Sequence, residues 1–182
     1  MNSAENLLEG AREKKRAALW SVVSAVALVS LKVFLSVRTG SLGVLSEALH
    51  SSLDLIAAII TFLSVHFADQ PADEKHPYGH GKVENFSAFV ETGLLLLTAL
   101  YIIWEAFQRL FFREAHLTPT LTAIFILVCA MAIDLLRARA LRRVARKFMS
   151  EALEADALHF STDVWSTFVV ILGIAAVWAG ER

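Results

Sequence analysis

Residues 42–67 read Leu-Gly-Val-Leu-Ser-Glu-Ala-Leu-His-Ser-Ser-Leu-Asp-Leu-Ile-Ala-Ala-Ile-Ile-Thr-Phe-Leu-Ser-Val-His-Phe. At about 1.5 Å per residue, a helix of this length crosses the roughly 30 Å hydrocarbon core of a bilayer. It also holds Glu47, His50 and Asp54, although an ionisable side chain deep in lipid costs at least a few kcal/mol. The expectation is a membrane span that carries functional polar groups.

Four further apolar runs flank it, at 17–37, 86–111, 117–136 and 153–179, with Lys32 the one charge in the first. The chain is 56% hydrophobic and 19% charged, with a mean hydropathy of +0.55. Soluble domains carry about 25% charged residues, so this composition calls for a lipid solvent. Three prolines, eight glycines and one cysteine exclude a collagen, a low-complexity linker or a disulfide scaffold; Cys129 has no second cysteine to pair with. A net charge of -1 excludes nucleic acid as a partner. The expected fold is an all-α polytopic transmembrane helix bundle of five spans.

Residues 1–16 read as an amphipathic, basic segment ahead of a first span too long to be a signal-peptide core. Orientation follows from the basic residues at the span ends. One side holds twelve: Arg12, Lys14, Lys15, Arg16, Lys75, Lys82, Arg137, Arg139, Arg142, Arg143, Arg146 and Lys147. The other holds four, Arg38, Arg109, Arg113 and Arg182, while Lys32 is expected to snorkel to the outer interface. The N-terminus is therefore expected in the cytoplasm and residue 182 outside.

The second and fifth runs share a pattern. Glu47-Ala48-Leu49-His50-Ser51-Ser52-Leu53-Asp54 is matched by Asp156-Ala157-Leu158-His159-Phe160-Ser161-Thr162-Asp163. Residues four apart share a helix face, so each helix offers one imidazole and one carboxylate. Counted from the span ends, the two pairs lie at depths agreeing within about 3 Å. Two nitrogens and two oxygens suit a four-coordinate Zn²⁺ site, and the two carboxylates cancel the charge of the dication. Rival readings are hydrogen-bonded polar glue between helices and haem ligation by His50 and His159, which needs no matched carboxylates.

With His76-Pro77-Tyr78-Gly79-His80-Gly81-Lys82-Val83-Glu84, with Ser41-Leu42 leading into the His50/Asp54 helix, and with residues 155–163, the chain resembles the cation diffusion facilitator family of divalent-metal exporters. The resemblance implies a transport site at His50, Asp54, His159 and Asp163, and a His in the first of these positions resembles zinc-preferring members. It implies divalent metal/proton antiport by alternating access, a homodimer in the full-length form, and no enzymatic activity. It also implies a second metal site in the loop at Asp73, His76 and His80; the alternative there is a solvated turn shaped by Pro77, Gly79 and Gly81. Family members usually add a sixth span and a cytoplasmic metal-binding domain, and they pair the Lys of His-Gly-Lys, here Lys82, with an acid near the end of that span. A chain stopping after five spans is expected to bind metal weakly and to transport poorly.

Zn²⁺ is the expected cargo, with Fe²⁺, Mn²⁺, Co²⁺ and Cd²⁺ compatible with mixed N and O ligands. The other class to weigh is a non-transporting membrane metal-binding or scaffold protein. An intramembrane metallohydrolase would keep three ligands and an open water position, which four convergent ligands disfavour. Glu91 reads as a proton relay, a partner of the ligands, or a hydrogen-bonded helix contact. Glu105 with Arg109 and Asp134 with Arg137 read as structural pairs, and Glu47 and Asp156 as groups that flank the ligands.

Overall fold

The computed structural model describes residues 3–39, 42–111 and 121–180. They form helices α1 (Ser3–Thr39), α2 (Leu42–Ala68), α3 (Lys82–Phe111), α4 (Leu121–Phe148) and α5 (Glu151–Gly180), with no strand among the described residues. α1 lies along α2, α4 along α5, and α3 against α5 and α2. Residues 117–120 of the expected fourth span, and the side chains of Glu47, Glu105 and Arg109, lie outside the described residues.

Four helices contain stretches long and apolar enough to cross a membrane: Leu8–Arg38, Ala48–Ala68, Lys82–Trp104 and Glu151–Ile174. In α4 the apolar stretch gives way at Asp134, Arg137 and Arg139, and by its described residues this helix is not one of the four. The helices overrun the apolar runs. Residues 3–16 continue α1 without a break, and α4 runs on through Arg139, Arg142, Arg143 and Arg146 to Phe148. Arginine and lysine are good helix formers, so backbone hydrogen bonding does not stop where the apolar run stops.

The interior is made of small residues and the exterior of large ones. Ala18, Ala57, Ala58, Ala138, Ala145, Ala152 and Ala157 are buried, whereas Trp20, Phe34, Leu97, Trp104, Phe125 and Trp165 are exposed. Water would oppose this distribution, but lipid favours it, because helices in a bilayer gain most from close backbone approach. Val65, Leu141, Leu153 and Phe160 fill what the alanines leave. At Gly10 a Cβ would sit 3.0 Å from the Phe148 ring, so a side chain there would push that ring by a few tenths of an ångström where α1 meets the end of α4.

α4 and α5 are joined by two residues. The Ser150 amide donates to Ala145 O at 3.0 Å, which closes α4, and Ser150 O accepts from the Glu154 amide at 3.1 Å as α5 begins. Met149 takes φ 51° to make that reversal, a conformation costing a side-chain-bearing residue about 1–2 kcal/mol. Its side chain is exposed, so Met149→Gly is expected to raise stability by about 1 kcal/mol. Thermal unfolding in detergent micelles checks the sign: a lowered midpoint would show that the methionine side chain contributes more than its backbone costs.

Candidate metal centre

His50 and Asp54 occupy one face of α2, and His159 and Asp163 one face of α5, each pair a turn apart. The structure brings all four together. His159 Nε2 donates to Asp54 Oδ1 at 3.1 Å and lies 3.6 Å from Asp163 Oδ2. His50 Nε2 lies 3.9 Å from Asp54 Oδ1 and 3.9 Å from Asp163 Oδ1. The ligand atoms of His50, Asp54 and Asp163 all lie within 4.8 Å of one another, and His159 joins this group through Asp54 and Asp163; tetrahedral ligands about 2.0–2.1 Å from a zinc ion are about 3.3 Å apart, so metal binding would draw the group tighter. His159, Asp54 and Asp163 are nearly closed off, while the His50 side chain keeps 38% of its exposure.

A cavity of about 320 Å³ opens from this cluster. Leu95, Thr98 and Ile102 of α3 and Ser166, Thr167 and Val170 of α5 line it, all further along their helices than the end nearest the 69–81 loop. The cavity therefore leads toward the opposite end of the bundle.

On the loop side the bundle is sealed by polar contacts. Lys14 donates to Asp69 at 2.6 Å and to Glu84 at 3.0 Å, and Ser150 donates to the other Glu84 oxygen. Lys147 pairs with Glu13 at 2.7 Å. These contacts tie α1, α2, α3, α4 and the α4–α5 turn at one end.

Between seal and cluster lies a second layer of buried polar groups. Asp156, fully buried a turn before His159, accepts from Ser21 Oγ at 3.0 Å. Arg137 donates to Ser21 O and Oγ at 3.1 Å and to Asp134 at 3.4 Å, and its guanidinium lies 3.6 Å from the centre of the Phe160 ring. Glu91, with no exposed surface, accepts from Thr61 and, at 3.2 Å, from Ser87. Glu91 thus makes hydrogen-bonded contacts to α2 and within α3.

In the 69–81 loop Asp73, His76 and His80 also converge. His76 Nδ1 lies 3.0 Å and His80 Nε2 3.5 Å from the Asp73 carboxylate, and the imidazole rings are 4.5 Å apart. A turn shapes them, with the Gly79 amide donating to His76 O at 3.0 Å and Gly79 at φ 78°. Hydrogen bonding from the His76 backbone amide holds the Asp73 carboxyl below its ordinary range. The turn and the ligand-like cluster are therefore one arrangement.

Residues 18–181 match the family described as the cation efflux transmembrane domain. The chain belongs to the cation efflux family. It is 35% identical over 168 residues to an uncharacterized transporter of Synechocystis sp., covering 92% of this chain and 54% of that protein. It is 33% identical to the cation-efflux pump FieF of Cronobacter sakazakii, covering 91% of this chain and 55% of the pump, and 34% identical to that of Yersinia enterocolitica, covering 93% and 56%. The chain spans about half the length of the curated relatives it matches. Family and apolar helices together make it a multi-pass membrane protein, in a family of transporters and not of enzymes.

One side chain goes against expectation. Lys32 does not reach out to an interface; it is 6% exposed and donates to Ser51 Oγ at 2.7 Å on the cavity wall. The signal was present in α1, where buried Ala18, Ser21, Ala25, Leu28, Lys32 and Ser36 recur every three or four residues and so share one inward face. Asp134 and Arg137, read as a structural pair, do pair and also line the cavity.

Arg137 is the basic group acting on buried Asp156. Arg137→Met is expected to cost about 3 kcal/mol, the scale for removing one partner of a buried charged group. Adding Asp156→Asn should recover part of that loss. Chemical denaturation of the two variants measures both values, and strictly additive losses would show that the residues do not act as a unit.

Proposed function

We propose that the chain is the metal-translocating membrane part of a divalent-cation exporter, with His50, Asp54, His159 and Asp163 as the cargo site. The observation that carries the reading is the clustering of His50, Asp54 and Asp163, joined by His159, on the wall of a cavity. Two carboxylates offset a dication at a depth where an unbalanced ion would be prohibitive. Zinc is the favoured cargo, since two imidazoles with two carboxylates make a borderline tetrahedral donor set. The loop residues Asp73, His76 and His80 form a second, solvent-facing site for the same class of cation.

The basic asymmetry supports a cytoplasmic N-terminus and spans about 17–37, 42–67, 86–111, 117–136 and 153–179. The arrangement described is then closed to the cytoplasm by Lys14, Asp69, Glu84 and Ser150 and open to the far side. Alternating access follows if these contacts part as the cavity closes. Protons drive release, because a ligating imidazole must be neutral and a ligating carboxylate ionised, so protons and metal compete for the same atoms. The whole assembly acts as a homodimer, as the family resemblance implies.

Asp54→Ala and Asp163→Ala are each expected to weaken Zn²⁺ binding by about 100-fold, the scale of one charge-assisted ligand. His50→Asp should shift preference from Zn²⁺ toward Mn²⁺ by replacing nitrogen with a harder oxygen. Isothermal titration of the chain in lipid nanodiscs reads both; wild-type zinc affinity in Asp163→Ala would end the site assignment.

The sign of the pH effect follows from competition: binding is strong where imidazole is neutral and carboxylate ionised, and it falls as acidification protonates these groups. Proton release on adding Zn²⁺, measured in weakly buffered solution, should therefore grow toward acidic pH. Zinc-driven proton movement in proteoliposomes separates a carrier from a metal-binding scaffold, which would bind and release protons without flux.

A further inference from the structure

Lys32 sits in α1 between Leu31 and the pair Val33 and Phe34, all exposed on the lipid-facing side, yet it is itself buried. A lysine in an apolar span ordinarily runs its ammonium out to the interface. Here the ammonium is held inside by Ser51, the residue that follows His50. It lines the same cavity as His50, Asp54 and Asp163. Asp134, also on that wall, lies within electrostatic range of Asp54, Asp163, Arg137 and Lys32, so these charges share one neighbourhood.

Their balance is informative. Asp54, Asp163 and Asp134 supply the negative charge of this neighbourhood, Arg137 is shared with Asp156 and Ser21, and Lys32 adds a positive charge whose field a bound dication meets. A site built only to retain a cation gains nothing from an ammonium on its wall, and that ammonium is costly to bury. A carrier has a second requirement: its cargo must bind strongly enough to enter and weakly enough to leave.

We propose that Lys32 is the affinity-limiting residue of the metal site, a fixed positive charge held by Ser51 that raises the free energy of the metal-occupied state and so speeds release into the cavity. The proposal rests on the metal-site reading above. Lys32 does not touch the cargo. It acts through the field, so the sign of its effect survives whatever other contacts its ammonium makes: removing a positive charge from a low-dielectric cavity favours the dication.

The test is Zn²⁺ titration of the chain in lipid nanodiscs at neutral pH, with release into a chelator followed by stopped flow. Lys32→Gln keeps an N–H donor for Ser51 and removes the charge; Lys32→Met is a second neutral variant should the first not fold; Lys32→Arg keeps the charge. The neutral variants are expected to bind Zn²⁺ roughly ten-fold more tightly and to release it correspondingly more slowly, and Lys32→Arg to stay within about two-fold of wild type. Structural damage alone would weaken binding, the opposite sign. Unchanged or weaker affinity in the neutral variants, or tightening by Lys32→Arg as well, overturns the proposal. Asp163→Ala, run in parallel, keeps the two readings apart. Wild-type binding there refutes the metal site itself, whereas lost binding there with unchanged affinity in Lys32→Gln refutes only the role of Lys32.

Discussion

Four ionisable side chains held close together inside an apolar bundle are the constraint to which the rest of the structure answers. Neither helix can keep its imidazole and carboxylate alone in lipid at an acceptable cost, and each finds its complement on the other. His159 bonds Asp54 across the α2–α5 contact, while His50 lies between Asp54 and Asp163. The interior around them is built of small residues: Ala57 and Ala58 on α2 and Ala152, Ala155 and Ala157 on α5 are buried, and most large side chains are turned outward.

The same constraint extends one layer inward. Asp156 would be another uncompensated charge, and Ser21 with Arg137 answers it, the guanidinium resting on Phe160. Phe160 thus both fills the core beside His159 and offers a π face to the cation that stabilises the layer below. Further in, Lys14, Glu84 and Ser150 draw three distant parts of the chain together at one end. These contacts stand at the end of the bundle nearest the 69–81 loop, on side chains that keep part of their exposure.

Much of this was legible in the residues. The apolar runs declare the membrane, because only a lipid solvent tolerates so much exposed leucine and phenylalanine, and the repeat of acid-Ala-Leu-His with a carboxylate four residues on marks the positions that the structure brings near one another. Helical periodicity places His50 with Asp54 and His159 with Asp163 without any knowledge of the fold. The helix ends were less legible: α4 passes the end of its apolar run at 136 and continues through its arginines to Phe148, since the backbone ladder depends on propensity and capping and not on lipid.

What the sequence determined by itself, then, is what each helix can do alone: its length, its apolar surface, and which side chains share a face. The tertiary structure decided what lies across from each face. That Lys32 turns inward to Ser51, that Arg137 serves Asp156 through Ser21, and that the cavity opens at one end while Lys14 and Glu84 seal the other all depend on pairings between residues from 19 to 135 positions apart. The physical reason is that a helix carries its side-chain periodicity in its own backbone, whereas the partner of a buried charge is chosen by the energy of the assembled bundle, and no local rule of spacing contains that choice.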